Sequence, residues 1–300
     1  MLRLILKGFS MGLADIVPGV SGGTVAFVTG IYDELVASIS SVNIEFAKKI
    51  LKFEIKSALT HINIKFLLPL FCGIIIAVVS MSRVMHYFMN NYTVLTWSLF
   101  FGLILASILF MMKQMDCLKN HKVILSMMTG AVIGNMVISL IPVTTPDSPA
   151  FLFGSGMIAI CAMILPGISG SFLLLILGKY EFVTGALKNP FSLESINTIV
   201  IFSLGCLVGL LSFSKVLNYL LKAHRTILMS FLIGFMIASL KKIWPWKEVI
   251  ESKIIRGKTY ILKEINIYPS ELSQEVIWAF FLALIGFILV FTIERVSKRN

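Results

Sequence analysis

Charge is what this sequence has least of. Asp, Glu, Lys and Arg make up 14% of its 300 residues, whereas 57% are hydrophobic. Soluble globular domains carry about 25% charged residues, so a water-exposed globular fold is excluded. The few charges are also bunched, leaving the uncharged runs 93–112 and 129–145. Roughly 20 apolar residues cross the hydrocarbon core of a bilayer. Lipid offers the backbone no hydrogen bonds, so a spanning segment is a helix or part of a closed barrel. The alternating polar and apolar pattern of barrel strands is missing. The fold class expected is an all-α integral membrane protein.

Other absences narrow the chemistry. Cys72, Cys117, Cys161 and Cys206 show neither metal-knuckle nor redox spacing. His61, His86, His121 and His224 fall in connecting segments or at span ends. No Walker motif, dinucleotide fingerprint or His/Cys cluster occurs, so no metal, no cofactor and no ATP hydrolysis by this chain are expected. Met1–Phe9 lacks the long apolar core and cleavage site of a removable signal. Acidic residues, at 15, are outnumbered by 26 basic ones, for a net charge of +11. The basic residues crowd into short loops and tails, which points to topology and anionic membrane lipid rather than nucleic acid.

What is present is a repeat. Residues 162–181 align without gaps on 14–33 at an offset of 148. Pro18-Gly19-Val20-Ser21-Gly22 falls on Pro166-Gly167-Ile168-Ser169-Gly170, Gly30 on Gly178, Tyr32 on Tyr180 and Asp33 on Glu181. A second block has an offset of 132. It sets Ser80, Ser82, Arg83, Val84 and Tyr87 on Ser212, Ser214, Lys215, Val216 and Tyr219, and Gly102 on Gly234. Duplication of one unit is the simplest cause, giving a first repeat at 1–149 and a second at 150–300.

Each repeat contains one broken apolar segment, at 7–40 and at 150–187. Full spans are expected at 66–85, 93–112 and 122–141, then at 196–214, 226–240 and 276–293. The arms around each Pro-Gly hold about 12–16 residues, too few to cross about 30 Å at 1.5 Å per residue. A re-entrant hairpin fits them; two tilted short spans are the alternative. A hairpin that returns to its own side, followed by three spans, turns the second repeat upside down, the plan of many secondary transporters. With both termini cytoplasmic, Lys48, Lys49, Lys52, Lys56, Lys65, Lys113, Lys119, Lys122, Lys215, Lys222 and Arg225 face the cytoplasm, as basic residues prefer. The loop 241–273 disagrees, because it would lie outside with seven basic residues. Residues 44–66 read as an amphipathic helix on the inner leaflet, and the stretch around Arg256-Gly257-Lys258 as a small hairpin.

The breaks are the candidate site. Proline stops a helix, glycine allows positive φ and close approach, and a restarting helix opens with unpaired N–H groups. Ser21 and Ser169 are N-cap residues, joined by Thr24 in the first copy. Gly19, Ser21, Gly22, Gly23 and Thr24 with Gly167, Ser169, Gly170 and Ser171 therefore form either an anion site or simply a tight, closely packed turn. Asp15, replaced by Met163 in the second copy, is a carboxylate in an apolar arm and a candidate for proton or ion coupling or a polar cap. Glu181 is a second coupling candidate, nearer water. Arg83 and Lys215 are equivalent cations that either receive an anionic headgroup or snorkel to lipid phosphates. Gly19-Val20-Ser21-Gly22-Gly23 also satisfies the Gly-x-Ser-x-Gly pattern, and such a stretch in a membrane resembles that of rhomboid proteases. A serine without a base is a weak nucleophile, and duplication argues against catalysis, so no enzyme is expected.

Residues 12–24, followed by Gly30-Ile31-Tyr32, closely resemble the opening signature of the bacterial polyprenyl-phosphate transporter family, and 165–171 resembles its internal copy. The second copy departs from the first at Met163, Ser171 and Phe172. The resemblance implies a flippase of the bacterial cytoplasmic membrane that returns undecaprenyl phosphate inward for reuse in cell-wall synthesis. The residues alone leave a small-anion transporter equally open.

Overall fold

The structure is a computed structural model that describes residues 1–16, 20–115, 120–140, 143, 145–188, 191–255 and 258–298, without side-chain detail at 86, 114, 187–188, 252–255, 258–263 and 293–298. The helices are α1 (Leu2–Ile16), α2 (Gly22–Val28), α3 (Tyr32–Ser40), α4 (Ile44–Leu51), α5 (Ile55–His61), α6 (Ile64–Asn91), α7 (Thr93–Gln114), α8 (His121–Ile138), α9 (Pro149–Ile164), α10 (Gly170–Ile176), α11 (Tyr180–Lys188), α12 (Leu193–Ala223), α13 (Arg225–Lys242) and α14 (Gln274–Lys298). Two strands, β1 (Lys247–Ile255) and β2 (Lys258–Asn266), stand between α13 and α14. Among the described residues, α6, α7, α8, α12 and α14 are long and apolar enough to cross a membrane. The sixth expected span, 226–240, lies in α13, where Arg225, Lys241 and Lys242 bracket too short an apolar stretch for that test.

The chain forms two compact units, each drawing on both halves of the sequence. The first is Met1–Ser82 with Thr144–Met229 and the second Arg83–Val143 with Ser230–Asn300. The first unit holds both broken segments. Each break is followed by two short helices rather than one arm, because Gly30 (φ 70°) and Gly178 (φ 65°) stop α2 and α10 after seven residues. Both stops close the same way. Ile31 N donates to Ala26 O at 2.9 Å, and Lys179 N to Leu174 O at 2.8 Å. That is the 6→1 bond of a helix ending on a left-handed glycine.

Small residues set the packing of this unit. A Cβ on Gly8 would lie 2.0 Å from Leu70 O, and one on Gly73 2.1 Å from Ile5 O. Gly156 meets Phe202 O and Gly205 meets Phe153 O in the same manner, at 2.4 and 2.1 Å. Every one of these four positions corresponds to its counterpart at the offsets of the repeat. Close backbone approach through small residues is the usual way to pack helices where lipid supplies no hydrophobic drive. The contacts also advance in step: Gly8 faces Leu70, and Gly12 faces Ile74 and Ala77. Thus α1 and α6 run in the same direction.

In the second unit the partners come from opposite halves. Gly102 of α7 abuts Ala283 O and Gly286 of α14 abuts Leu99 O, while Gly234 of α13 abuts Met127 O and Gly130 of α8 abuts Phe231 O. The antiparallel β1–β2 pair carries a bulge near Ile250, in the segment where the sequence suggests a hairpin; the turn residues themselves lie outside the described residues. Its base is tied to α13 by Glu264, which accepts from Lys242 at 2.8 Å and Lys247 at 2.7 Å. Trp244 stacks edge-on with Phe101, Trp246 and Tyr268. The helical frame therefore carries one small sheet that an all-α description omits.

Residues 44–66 are not one amphipathic helix. The chain turns at Phe53 (φ 57°) and again at Asn63 (φ 53°), giving α4, α5 and the start of α6. Ile44, Leu51, Phe53 and Ile55 remain exposed, as an interfacial segment requires.

Candidate functional site

The two breaks, about half the chain apart in sequence, meet inside the first unit. Ser21 is the N-cap of α2, with extended backbone (φ −122°, ψ 134°), and its oxygen accepts from Gly23 N at 3.1 Å. The same hydroxyl donates to Met163 O at 3.0 Å and Leu165 O at 3.1 Å. Those carbonyls belong to the end of α9, where the last turn of any helix leaves acceptors without partners. In the reverse direction, Gly167 N donates to Thr24 Oγ1 at 3.1 Å. Ser21, Thr24 and Ser169 are at most 5% exposed. Each break thus satisfies backbone groups that the other break creates, which is how irregular backbone survives away from water.

Glycine is needed where the breaks touch. A Cβ on Gly23 would lie 2.5 Å from Ile164 O, and one on Gly22 2.5 Å from Asp15 Oδ2. Gly167 adopts φ 93°, a region that residues with a side chain rarely enter.

The first break does not present the unpaired donors that its sequence suggests. Gly22 N donates to Asp15 Oδ1 at 2.7 Å, Gly23 N to Ser21 Oγ, and Thr24 N to Ser21 O at 2.9 Å. Asp15 is therefore a ligand of the restarting backbone, three residues before the proline that interrupts it. The second break differs. Ser169 makes no capping bond with its side chain; its hydroxyl pairs with that of Ser171 at 2.6 Å. Met163 stands where Asp15 stands in the first copy, so no carboxylate reaches the start of α10 from that position. The two copies share a path but not a hydrogen-bond pattern.

Ser21, Gly22, Gly23, Thr24, Gly167, Ser169, Gly170 and Asp15 are brought into one region. Gly19 lies outside the described residues. Arg83, on α6 in the second unit, and Lys215, on α12 in the first, are exposed. Glu181 is half-buried in the first turn of α11. The partners of Ser21 are backbone groups of Gly23, Met163 and Leu165, an arrangement that gives its hydroxyl no basic side chain.

Some residues at the rims carry no signal in local sequence. Lys179 is 0% exposed; its ammonium donates to Thr145 O at 2.9 Å and pairs with Asp147. Thr145 Oγ1 in turn donates to Leu177 O, and in the first copy Lys7 Nζ donates to Thr29 O. Thr29 and Leu177 are equivalent positions, so the end of α2 and the end of α10 are each held by a side chain from the segment leading into the break. Arg225 pairs with Asp33 at 2.8 Å, and Asn218 donates to Ser40 at 2.8 Å, tying α3 to α12 and the start of α13. The alignments of Thr29 with Leu177 and of Asp33 with Glu181 are the sequence signals that touch them.

Residues 11–262 match the family described as undecaprenyl phosphate translocase-like. A protein of Vibrio cholerae serotype O1 named polyprenyl-phosphate transporter is 40% identical over 305 residues, covering 99% of this chain and 97% of that protein. A Staphylococcus aureus protein of the same name is 29% identical over 258 residues, covering 80% and 85%. No solved structure matches.

Proposed function

We propose, since this chain belongs to the undecaprenyl phosphate translocase-like family, that it returns undecaprenyl phosphate from the outer to the inner leaflet of the bacterial cytoplasmic membrane for reuse in cell-wall polymer synthesis. It is a multi-pass membrane transporter and not an enzyme. The observation that carries the lipid-phosphate reading is the buried contact between the two breaks, through Ser21, Thr24, Met163, Leu165 and Gly167. A charged headgroup taken through bare hydrocarbon costs several kcal/mol or more. Polar backbone and hydroxyls gathered in the protein supply what the lipid cannot, while the polyprenyl tail stays in the bilayer.

In this reading the phosphate is received where Ser21, Thr24, Ser169 and Ser171 converge, once the bonds from Ser21 to α9 open. Gly22, Gly23, Gly167 and Gly170 let the backbone come close. Arg83 and Lys215 serve as headgroup contacts at the membrane surfaces. Asp15 couples transport to a proton: protonation removes the charge that strengthens the bond from Gly22 N, which weakens the hold of α1 on the start of α2. Glu181 is its counterpart nearer water.

The two halves form inverted repeats in this reading. The support is the parallel course of α1 and α6. If both helices start from the same side, α2 to α5 must bring the chain back there, so the break is re-entrant. Three spans then carry the chain across before α9 begins. The pairing of Asp33 with Arg225 and of Asp147 with Lys179 falls on opposite faces under this plan, with N- and C-termini cytoplasmic.

The test is surface labelling of undecaprenyl phosphate in cells depleted of the transporter. Restoring the chain lowers outer-leaflet exposure of the lipid, and the Ser21→Ala variant does not. Unchanged exposure on restoring the wild-type chain would overturn the flippase reading.

A further inference from the structure

We infer that the short helices α4 and α5 form a dedicated receptor for the phosphate headgroup of a membrane lipid, separate from the two breaks. Between them lies a groove of about 510 Å³ lined by Lys49, Lys56, Ser57, Thr60 and His61. Lys49, Lys56 and Ser57 bring donors to it and none of the five is an acid, while Thr60 Oγ1 already donates to Lys56 O at 2.9 Å and the ring of His61 is held by Asn43 and Lys49. The acidic side chains nearby are Glu45, which is 62% exposed at its side chain and 3.2 Å from Lys49, and Glu54 at the head of α5. Lys48, Lys52 and Lys65 add exposed positive charge on the same segment.

The groove is a built feature. His61 Nδ1 lies 3.5 Å from Lys49 Nζ, and His61 Nε2 lies 3.3 Å from Asn43 Oδ1. Asn43 also caps α4 through Phe46 N. The ring of His61 thus fixes the end of α5 against the start of α4. Asn63 donates to Glu34 at 2.9 Å, which ties the platform to α3, and Ala58 and Ile62 anchor it by burial.

The strain in the turn points to lipid. Phe53 has φ 57°, a left-handed backbone that bulky residues rarely adopt, yet it is 88% exposed. Ile44 at 75% and Leu51 at 78% are exposed beside it. Backbone bonds from Phe53 N to Ile50 O and from Glu54 N to Lys49 O, both 2.9 Å, hold this turn and keep the ring outward. Apolar side chains inserted among acyl chains, with lysines at headgroup level, is the arrangement of an interfacial helix on an anionic leaflet. The groove adds a discrete place for one phosphate.

The full chain in nanodiscs of neutral lipid, titrated with phosphatidylglycerol and read by native mass spectrometry, tests this. Wild type retains one tightly held anionic lipid that millimolar inorganic phosphate does not displace. Lys49→Gln combined with Lys56→Gln weakens that binding about thirtyfold, as expected for two basic groups at an anionic surface. An unchanged affinity in the double variant overturns the site, and displacement by inorganic phosphate overturns the assignment to a lipid. Phe53→Gly relieves the turn, so it raises thermal stability in detergent while weakening lipid retention. A fall in detergent stability would overturn the part given to Phe53.

Discussion

The hydroxyl of Ser21 lies 3.1 Å from the carbonyl oxygen of Leu165, to which it donates. One residue precedes the glycine that restarts a helix, and the other precedes the proline that ends one. The cap of the first break is therefore the terminator of the second. A change at either residue is felt by both.

Removing that hydroxyl leaves the Met163 and Leu165 carbonyls without their donor. An unsatisfied buried group costs about 1–3 kcal/mol, so Ser21→Ala is expected to lower the thermal midpoint of the purified protein and to abolish most transport. Ser169→Ala, which breaks only a bond between two hydroxyls, is expected to be milder on stability. Equal thermal losses in the two variants would contradict the unequal roles of the breaks.

Gly23 and Ser171 occupy equivalent positions, but a Cβ on Gly23 would lie 2.5 Å from Ile164 O, whereas the second copy carries a side chain there, paired with Ser169. Gly23→Ala is expected to separate the breaks and reduce folded protein in the membrane severalfold. Ser171→Ala is expected to leave expression and melting unchanged. A well-expressed, stable Gly23→Ala protein would remove the requirement for contact.

Asp15→Asn keeps an oxygen for Gly22 N and removes the charge. The variant is expected to remain as stable as wild type, within about 1 kcal/mol, and to lose the dependence of lipid return on a proton gradient. Asp15→Leu removes the acceptor as well and is expected to lose both. Transport by Asp15→Asn that still follows the gradient would take the coupling role from this carboxylate.

The base of the β-hairpin has a defined pH response. Burial by itself would raise the Glu264 carboxyl, but the ammonium groups of Lys242 and Lys247 outweigh it and hold the carboxyl below its usual range. Burial lowers Lys247, against the pull of Glu264. A carboxyl depressed by folding contributes stability that is fully present above its unfolded value, about 4.3, and is lost as pH falls through the lower folded value. Fluorescence of Trp244 and Trp246 is expected to report loosening of the hairpin only in that acidic window. Glu264→Gln should show no such transition; a transition that persists in it would assign the response elsewhere.

Much of the frame was legible because its causes are local. The spans follow from apolar length: five of the six expected stretches lie within helices, and the third, 122–141, starts in α8 but runs past its end at Ile138. The breaks follow from proline and glycine. The second stop in each broken segment was missed, although Gly30 and Gly178 were aligned, because a single glycine after an apolar run carries no signature of its own. The turn at Phe53 was missed for the opposite reason: nothing about phenylalanine forecasts a left-handed backbone. The occupied donors at Gly22 and Gly23 could not be read at all, since the spacing of Asp15 suits solvent, substrate or backbone equally.

By itself, then, the sequence determined a duplicated, helix-rich membrane chain with two interruptions, because hydrophobic length and backbone chemistry act over one or two turns. Tertiary structure alone decided that Ser21 closes on α9, that Asp15 closes on Gly22, and that α7 pairs with α14 while α8 pairs with α13. Those choices join residues more than a hundred positions apart or select one hydrogen-bond partner among several of equal chemistry. Only the distances in the folded chain discriminate between them.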